Sequence, residues 1–452
     1  MSSVVTALLA ALPGRVLTDP DAMVGYRRDQ CLLADAGQPL AVVRAASVDD
    51  VVTTLTVASA HRTPVVTRGA GTGLAGAANA LDSGIVLSLA GLNRILDVDV
   101  PGRTATVQPG VLNGDLDARA RRHGLWYPPD PGSKATSTIG GNVATNAGGM
   151  CCAKYGVTAD HVAALTAVLA DGRLIHTGPP TRKNVAGLDL TRLLVGSEGT
   201  LAVITEATVR LRPLSPATAT VVATFPSTQH AIDAVLEIGA VADPAVVELM
   251  DRTCIRAVNE LTRMGLDETA GALVLLQCDG PSASHEAATC ARLAEATGAT
   301  EVLQTDDPDE GEQFMEARRL ALTALERLGT TLLDDVAVQV HALPRLIASI
   351  ARSATDHGVV IGTFGHAADG NLHPTIVYDA TEPGAADRAR AAFDEILAAA
   401  LQLGGTISGE HGIGVLKTAY LDAQVGATER DLMRRIKAAF DPTGILNPGR
   451  AY

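Results

Sequence analysis

The sequence predicts an α+β protein built in two successive halves, and three observations carry that prediction. Its 452 residues are too many for one hydrophobic core. Residues from about 40 to 214 read as short strands joined by glycine-rich connections. Beyond them the texture changes to long amphipathic helices that alternate with strands.

Each element has a local cause. "MSSVVTALLAALPGRV" is apolar, but no Lys or Arg precedes the apolar run, so a short helix is expected rather than a signal peptide. "AVVR" (41–44) is a strand, and "SVDDVVTTLTVASAHR" a helix with Ser47 as N-cap and Asp49 and Asp50 in its first turn. "TPVVTRG" is the next strand. "ILDVDVPGRTATVQPG" and "LTAVLADGRLIHTG" are hairpins turning at Pro-Gly and Asp-Gly, and "LAVITEATVRLRP" is a long closing strand. "LRPLSPATAT" is the linker. After it, helices are expected over about 227–240, 282–297, 309–328, 343–357 and 383–403, with strands at "GALVLLQCD" and "LDDVAVQVH". Helices gathered on one face of a mostly antiparallel sheet would suit this half. The expected divisions are an N-terminal helical segment (1–38), a strand-rich domain (39–215), a larger domain (216–405) and a C-terminal segment (406–452).

Composition narrows the partners. A formal net charge of -14 argues against nucleic acid or an anionic membrane as the main partner. Small acidic substrates stay compatible, since a local basic pocket can sit in an acidic protein. No apolar stretch is long enough to span a bilayer, so no transmembrane segment is expected. Six cysteines without any C-x-x-C exclude a recognisable iron–sulfur or structural zinc motif and point to a reducing, cytoplasmic setting.

Gly71, Gly73 and Gly76 in "RGAGTGLAG" fit G-x-G-x-x-G after a strand, the fingerprint of a Rossmann dinucleotide site. That site requires a full helix after the glycines, and only "AANALDS" separates Gly76 from Gly84 and the strand "IVLSL". The Rossmann reading is therefore set aside. Two further runs of small residues follow, "PPDPGSKATSTIGGNVATNAGG" (128–149) and "GSEGTLAVIT" (196–205). Three such runs offer free backbone N–H groups and close backbone approach, which a pyrophosphate and a flat heterocycle need where no helix N-terminus serves.

Two histidines, His366 and His373, flank an Asp-Gly turn in "TFGHAADGNLH". "GEHGIG" adds Glu410 and His411. His366, His373 and Glu410 form a two-nitrogen, one-carboxylate set suited to zinc or another divalent first-row ion, with positions left for substrate. Spacing alone leaves this reading level with a hydrogen-bonded loop that binds no metal.

Taken together, these motifs resemble the FAD-binding domain of the p-cresol methylhydroxylase and vanillyl-alcohol oxidase superfamily. The whole chain, from about 20 to 450, resembles the glycolate oxidase flavoprotein subunit and the D-lactate and D-2-hydroxyglutarate dehydrogenases, through the three runs, "GHAADGNLHP", "SGEHGIG" and "AFDPTGILNPG". The fold implied is a p-cresol methylhydroxylase-type FAD-binding domain of two α+β subdomains, followed by a ferredoxin-like α+β cap domain that carries the metal. The resemblance implies that Arg68, Gly69, Ala70, Gly71, Thr72 and Gly73 wrap the FAD pyrophosphate. It runs Pro131, Gly132, Ser137, Thr138, Gly140, Gly141, Asn142, Thr145, Gly148 and Gly149 along the ribityl chain and ring, and puts Glu198, Gly199 and Ile204 at the adenine side and ring edge. The first loop has no histidine, so non-covalent FAD is expected.

The resemblance also favours the metal reading, with Zn2+, Mn2+ or Fe2+ on His366, His373 and Glu410. His411 would then be the base and Arg318 the bidentate partner of a substrate carboxylate. Thr375 would face the substrate, and Asn447 would sit in a C-terminal tail returning to the flavin domain and contact substrate there. Two departures from the family pattern stand out. Ala368 replaces the usual glycine between the histidines and would be strained if the position needs φ > 0. Ala202 replaces another glycine and would leave less room beside the cofactor.

The activity implied is oxidation of a small 2-hydroxy acid to the 2-oxo acid. Where the 2-hydroxyglutarate enzymes carry a lysine for the distal carboxylate, this chain has "LLDD" (332–335), which favours glycolate or D-lactate. The rivals are a D-2-hydroxyglutarate dehydrogenase and a flavin-binding subunit active only within a multi-subunit glycolate oxidase complex. The electron acceptor is not written in the chain: with no cysteine cluster, electrons leaving FAD go to a quinone, a dye, oxygen or another redox protein, an iron–sulfur subunit among the candidates, with the protein held at the inner face of the membrane if a partner tethers it there. A homodimer stays open.

Overall fold

The computed structural model describes residues 2–452, and the chain divides into two compact units. One takes the chain up to Gly148, then Gly156–Leu214 and Glu410–Tyr452; the other takes Gly149–Tyr155 and Ser215–Gly409.

The first unit is built on two larger sheets and one two-stranded sheet. β1 (Val16–Leu17), β2 (Ala41–Arg44), β3 (Val65–Arg68) and β4 (Ile85–Ser88) lie in the order β1-β2-β4-β3, with β2, β4 and β3 parallel. Their near-continuous apolar sequence follows from cover on both faces. Helix Val48–Ala60 supplies Val51, Leu55 and Ala58 to that core, and helix Ser3–Ala11 supplies Val4, Val5 and Leu8. Ser47 caps the first of these helices through the Asp50 amide, as its sequence predicts. No helix lies between β3 and β4, which is why the glycine fingerprint there makes no Rossmann crossover.

The unit's other strands are β5 (Ile95–Asp99), β6 (Thr104–Val107), β7 (Leu125–Trp126), β8 (Val162–Val168), β9 (Leu174–Thr177), β10 (Val203–Arg210) and β11 (Arg212–Pro213). Five of them form the second sheet, antiparallel in the order β5-β6-β10-β8-β9, and β7 pairs with β11 in a separate two-stranded sheet. Val107, Leu165, Ala167 and Val209 pack there against Ile139 and Val143 of helix Ile139–Thr145. The C-terminal stretch returns to the first sheet: Val65 N donates to Ile445 O at 2.7 Å, and Asn447 N donates to Val65 O at 2.8 Å.

The second unit carries one eight-stranded sheet: β12 (Thr218–Phe225), β13 (Val246–Asp251), β14 (Ala272–Asp279), β15 (Glu301–Thr305), β16 (Thr330–Leu333), β17 (Val336–Ala337), β18 (Val360–His366) and β19 (Asn371–Tyr378). Every pairing is antiparallel, in the order β15-β12-β14-β13-β18-β19-β16, with β17 also on β19.

Helices cover both faces of this sheet, not one as the sequence suggests. A side chain at Gly362 would meet Leu325 and Cys254, on helices Ala321–Glu326 and Arg252–Thr262. On the opposite face, by strand alternation, Cys278 lies 3.9 Å from Cys290 of helix Ala283–Ala296. The helix expected over 309–328 is broken at Leu320, and "LDDVAVQVH" is not one strand, since Leu333 ends β16 and only Val336–Ala337 form β17. Both acids of that stretch are fully buried at its start. Among the described residues no helix is long and apolar enough to cross a membrane.

Candidate active site

In the first unit the three small-residue runs meet. The first loop leaves β3 at Arg68, with Gly71 (φ +76°) and Gly76 (φ +78°) in the left-handed region. A side chain at Gly71 would fall on the Arg68 guanidinium, which is tied to Gly25 O and Arg28 O. Arg68 therefore braces the loop from behind, and burial lowers its pKa. A side chain at Gly69 would fall on Thr138, whose hydroxyl caps helix Ile139–Thr145 at the Gly141 amide. Thr145 bonds back to Gly141 O, and Gly140 sits tight against Pro109. Pro131, Gly148 and Gly149 are buried, whereas Ala70 and Gly132 face solvent and Thr72 and Gly73 are half-buried. Gly199 (φ +71°) passes close to Thr67, and Ile204 is buried on β10.

Several buried polar atoms around these runs lack a partner among the described residues: Thr67 Oγ1, Arg68 Nη1, Ser137 Oγ, Asn142 Nδ2 and Asn447 Oδ1. Such groups are costly unless something polar satisfies them. A cradle of left-handed glycines edged with unsatisfied hydroxyls and amides fits the pyrophosphate and ribityl hydroxyls of FAD.

Two expected contacts have other work. Glu198 (φ +50°) is buried, and its carboxylate accepts from Ile413 N at 2.7 Å and Gly414 N at 2.8 Å. Burial pushes its pKa to about 6 despite those two amides. Its carboxylate thus grips the "GEHGIG" segment. Asn447 Nδ2 donates to Ala77 O and Glu198 O, at 3.1 and 2.7 Å, so its amide fastens the C-terminal stretch in place. Ala202 packs its methyl into the core of the second sheet, which removes the expected loss of room beside the cofactor. Glu410 and His411 follow Gly409 in the same segment, both half-buried, with His411 Nε2 3.8 Å from Glu410 Oε1.

In the second unit β18 and β19 form a hairpin whose turn is Ala367–Ala368–Asp369–Gly370. Gly370 alone of the four takes the left-handed conformation, φ +79°, so Ala368 carries no backbone strain. Register pairs Phe364 with His373 and His366 with Asn371, and it sets Glu248 of β13 opposite His366. One face of the sheet thereby presents Glu248, His366, His373 and Thr375 together.

The contacts among them are short. His366 Nε2 faces His373 Nε2 at 3.3 Å. His366 Nδ1 lies 2.5 Å from Glu248 Oε1, and His373 Nδ1 lies 3.8 Å from Asp335 Oδ1. Glu248 Oε2 pairs with Arg318 Nε at 2.6 Å, and that guanidinium stands over the Phe364 ring, 4.6 Å from its centre. Asp335 also accepts from Asn371 Nδ2 and from Ser408 Oγ, each at 2.8 Å. Glu248 and Asp335 are fully buried, and His366, His373 and Arg318 nearly so.

Two imidazoles that each turn one nitrogen toward a carboxylate and the other toward a common point could hold a divalent metal between them. Nitrogens bound to one tetrahedral zinc at about 2.0–2.1 Å stand roughly 3.3 Å apart, the separation found here. Thr375 is fully buried, donates to His373 O and shares the sheet face of the histidine pair. The sequence reading did not identify Glu248, Asn371, or Asp335 as a histidine partner. The signal for Glu248 was an acid inside the apolar strand "VVELMD".

Residues 39–178 match the FAD binding domain family, and residues 214–451 match the FAD linked oxidases, C-terminal domain. The chain is 40% identical over 443 residues to the glycolate oxidase subunit GlcD of Bacillus subtilis, covering 97% of this chain and 92% of that one. It is 36% identical over 420 residues to a D-lactate dehydrogenase of Archaeoglobus fulgidus, with 92% of each covered. Substrate-bound p-cresol methylhydroxylase shares the fold at a TM-score of 0.82 and 19% identity, covering 99% of this chain and 96% of that one.

Proposed function

This chain belongs to the FAD-linked oxidases and is an oxidoreductase, and on that premise we propose that it oxidises a small 2-hydroxy acid, glycolate or D-lactate, to the 2-oxo acid with the help of a divalent metal. The observation that carries the metal is the pair of facing histidine nitrogens, each backed by a buried carboxylate. His366 and His373 hold the ion with Glu410 as third ligand. FAD rests, without a covalent link, on the three glycine-rich runs.

Oxidising a 2-hydroxy acid removes a hydroxyl proton and, from the same carbon, a hydrogen with its electron pair. Bound FAD supplies the acceptor of that pair, and a bound divalent ion makes the hydroxyl more acidic. The remaining work falls to side chains. Arg318 has its Nε on Glu248, and its outer edge takes the substrate carboxylate. His411 takes the hydroxyl proton at an imidazole nitrogen. Burial of the histidine pair excludes water from that side of the reaction.

Asp335 argues for a short acid. A dicarboxylate would bring a second negative charge toward this buried carboxylate, whereas glycolate and D-lactate bring none. The two named relatives agree with that choice. Reducing equivalents pass onward to a quinone or a redox protein. Turnover with glycolate, each lactate and D-2-hydroxyglutarate, with a dye acceptor and the 2-oxo acid measured as product, tests the reading. Glycolate or D-lactate should lead; turnover of D-2-hydroxyglutarate alone would reverse the substrate assignment.

A further inference from the structure

We propose that Glu248 is a positioning residue shared by the two halves of the proposed reaction centre, one carboxylate oxygen orienting the metal-binding His366 and the other the substrate-binding Arg318. This inference rests on the function proposed above and adds to it a coupling between metal and substrate binding.

The geometry is specific. Glu248 sits mid-strand on β13, fully buried, in a sequence otherwise apolar on either side. Its Oε1 meets His366 Nδ1 at 2.5 Å and its Oε2 meets Arg318 Nε at 2.6 Å. A buried carboxylate without partners would be strongly disfavoured, so its presence needs both contacts. A carboxylate against Nδ1 keeps the proton on that nitrogen and turns the Nε2 lone pair outward, toward His373. The same charge anchors the Nε corner of Arg318, while the Phe364 ring beneath sets the plane of the fork. Asp335 serves His373 in the looser way its 3.8 Å separation allows, and it also holds Asn371 and Ser408. Glu248 is therefore the acid through which disturbing the metal side must also disturb the carboxylate side.

The test uses the FAD-loaded full chain and reads metal binding apart from activity. Zinc affinity is measured by competition with a chromophoric chelator for wild type, Glu248→Gln, Glu248→Asp and Asp335→Asn. KM and kcat follow for the acid that wild type turns over. Glu248→Gln should bind zinc about ten- to a hundredfold more weakly and also raise KM, even with zinc saturating. Glu248→Asp should recover part of both, and Asp335→Asn should weaken zinc binding through His373. In wild-type protein labelled at histidine with 15N, NMR should find the His366 proton on Nδ1, a readout that needs no variant to fold.

Wild-type zinc affinity and KM in Glu248→Gln, or a His366 proton on Nε2, would overturn the inference and leave the proposed function standing. A wild-type protein that binds no zinc would overturn the proposed metal chemistry and this inference with it.

Discussion

Replacing Gly370 by alanine tests whether the histidine hairpin is built as described. Gly370 has φ +79°, and an added Cβ would fall on the Val338 carbonyl oxygen, which is backbone and cannot swing away. The left-handed conformation costs a non-glycine residue about 1–2 kcal/mol. Relieving the clash also breaks the 3.1 Å bond from Val338 N to Gly370 O, for about 1 kcal/mol more. The sum is about 2–3 kcal/mol, which for a unit of roughly 200 residues lowers Tm by about 5–10 °C. The converse change, Ala368→Gly, relieves no strain and frees the unfolded chain, so it should cost about 0.5–1 kcal/mol. Calorimetry of the FAD-saturated proteins at one scan rate, with zinc affinity measured alongside, reads both. Zinc affinity should fall in Gly370→Ala because the turn sets the histidine pair. Unchanged stability in Gly370→Ala, or tighter zinc and a higher Tm in Ala368→Gly, would refute the assignment of the strained position.

His411→Asn should keep FAD and zinc and slow flavin reduction by about 10²–10⁴-fold, read by stopped flow; a smaller loss would move the base elsewhere. Gly71→Ala, strained at φ +76° and directed onto Arg68, should purify with less flavin, read from the ratio of visible to protein absorbance. Burial raises both Glu198 and Asp251 to about 6. Folded pKa values above the unfolded ones mean that this contribution to stability is complete below about 4 and is lost as pH rises through about 6. Wild type should therefore lose Tm over that window relative to Glu198→Gln and Asp251→Asn, whose profiles flatten; parallel profiles would contradict the burial argument.

The elements that local chemistry decides were legible in the chain. Ser47 announces its helix, the Pro-Gly and Asp-Gly turns announce their hairpins, and the seven residues between Gly76 and Gly84 leave no room for a Rossmann crossover helix. The histidine pair was legible as well, because nothing in core packing asks for two histidines around an Asp-Gly turn. What escaped depends on tertiary pairing. Glu248 is over a hundred residues from His366 in sequence, and only the register of β13 against β18 brings them together. Helices on both faces of the large sheet could not be read from amphipathicity, which gives a helix one apolar side without saying which face of a sheet it covers. The resemblance placed Glu198 beside FAD and Asn447 in the returning C-terminal tail; that their carboxylate and amide hold backbone segments of the same unit rests on tertiary contacts no local motif carries. The breaks at Leu320 and within "LDDVAVQVH" share that origin, since neither carries a glycine or proline signal at the break.

Anaerobic reduction of the flavin, followed by stopped flow at about 450 nm, tests the central claim most directly. Glycolate and the two lactates are offered before chelation, after EDTA, and after zinc or manganese is restored. The account predicts fast bleaching by glycolate or D-lactate, lost on chelation and recovered with the metal. A flavin that stays yellow with every acid, or one that bleaches equally well without metal, would contradict it.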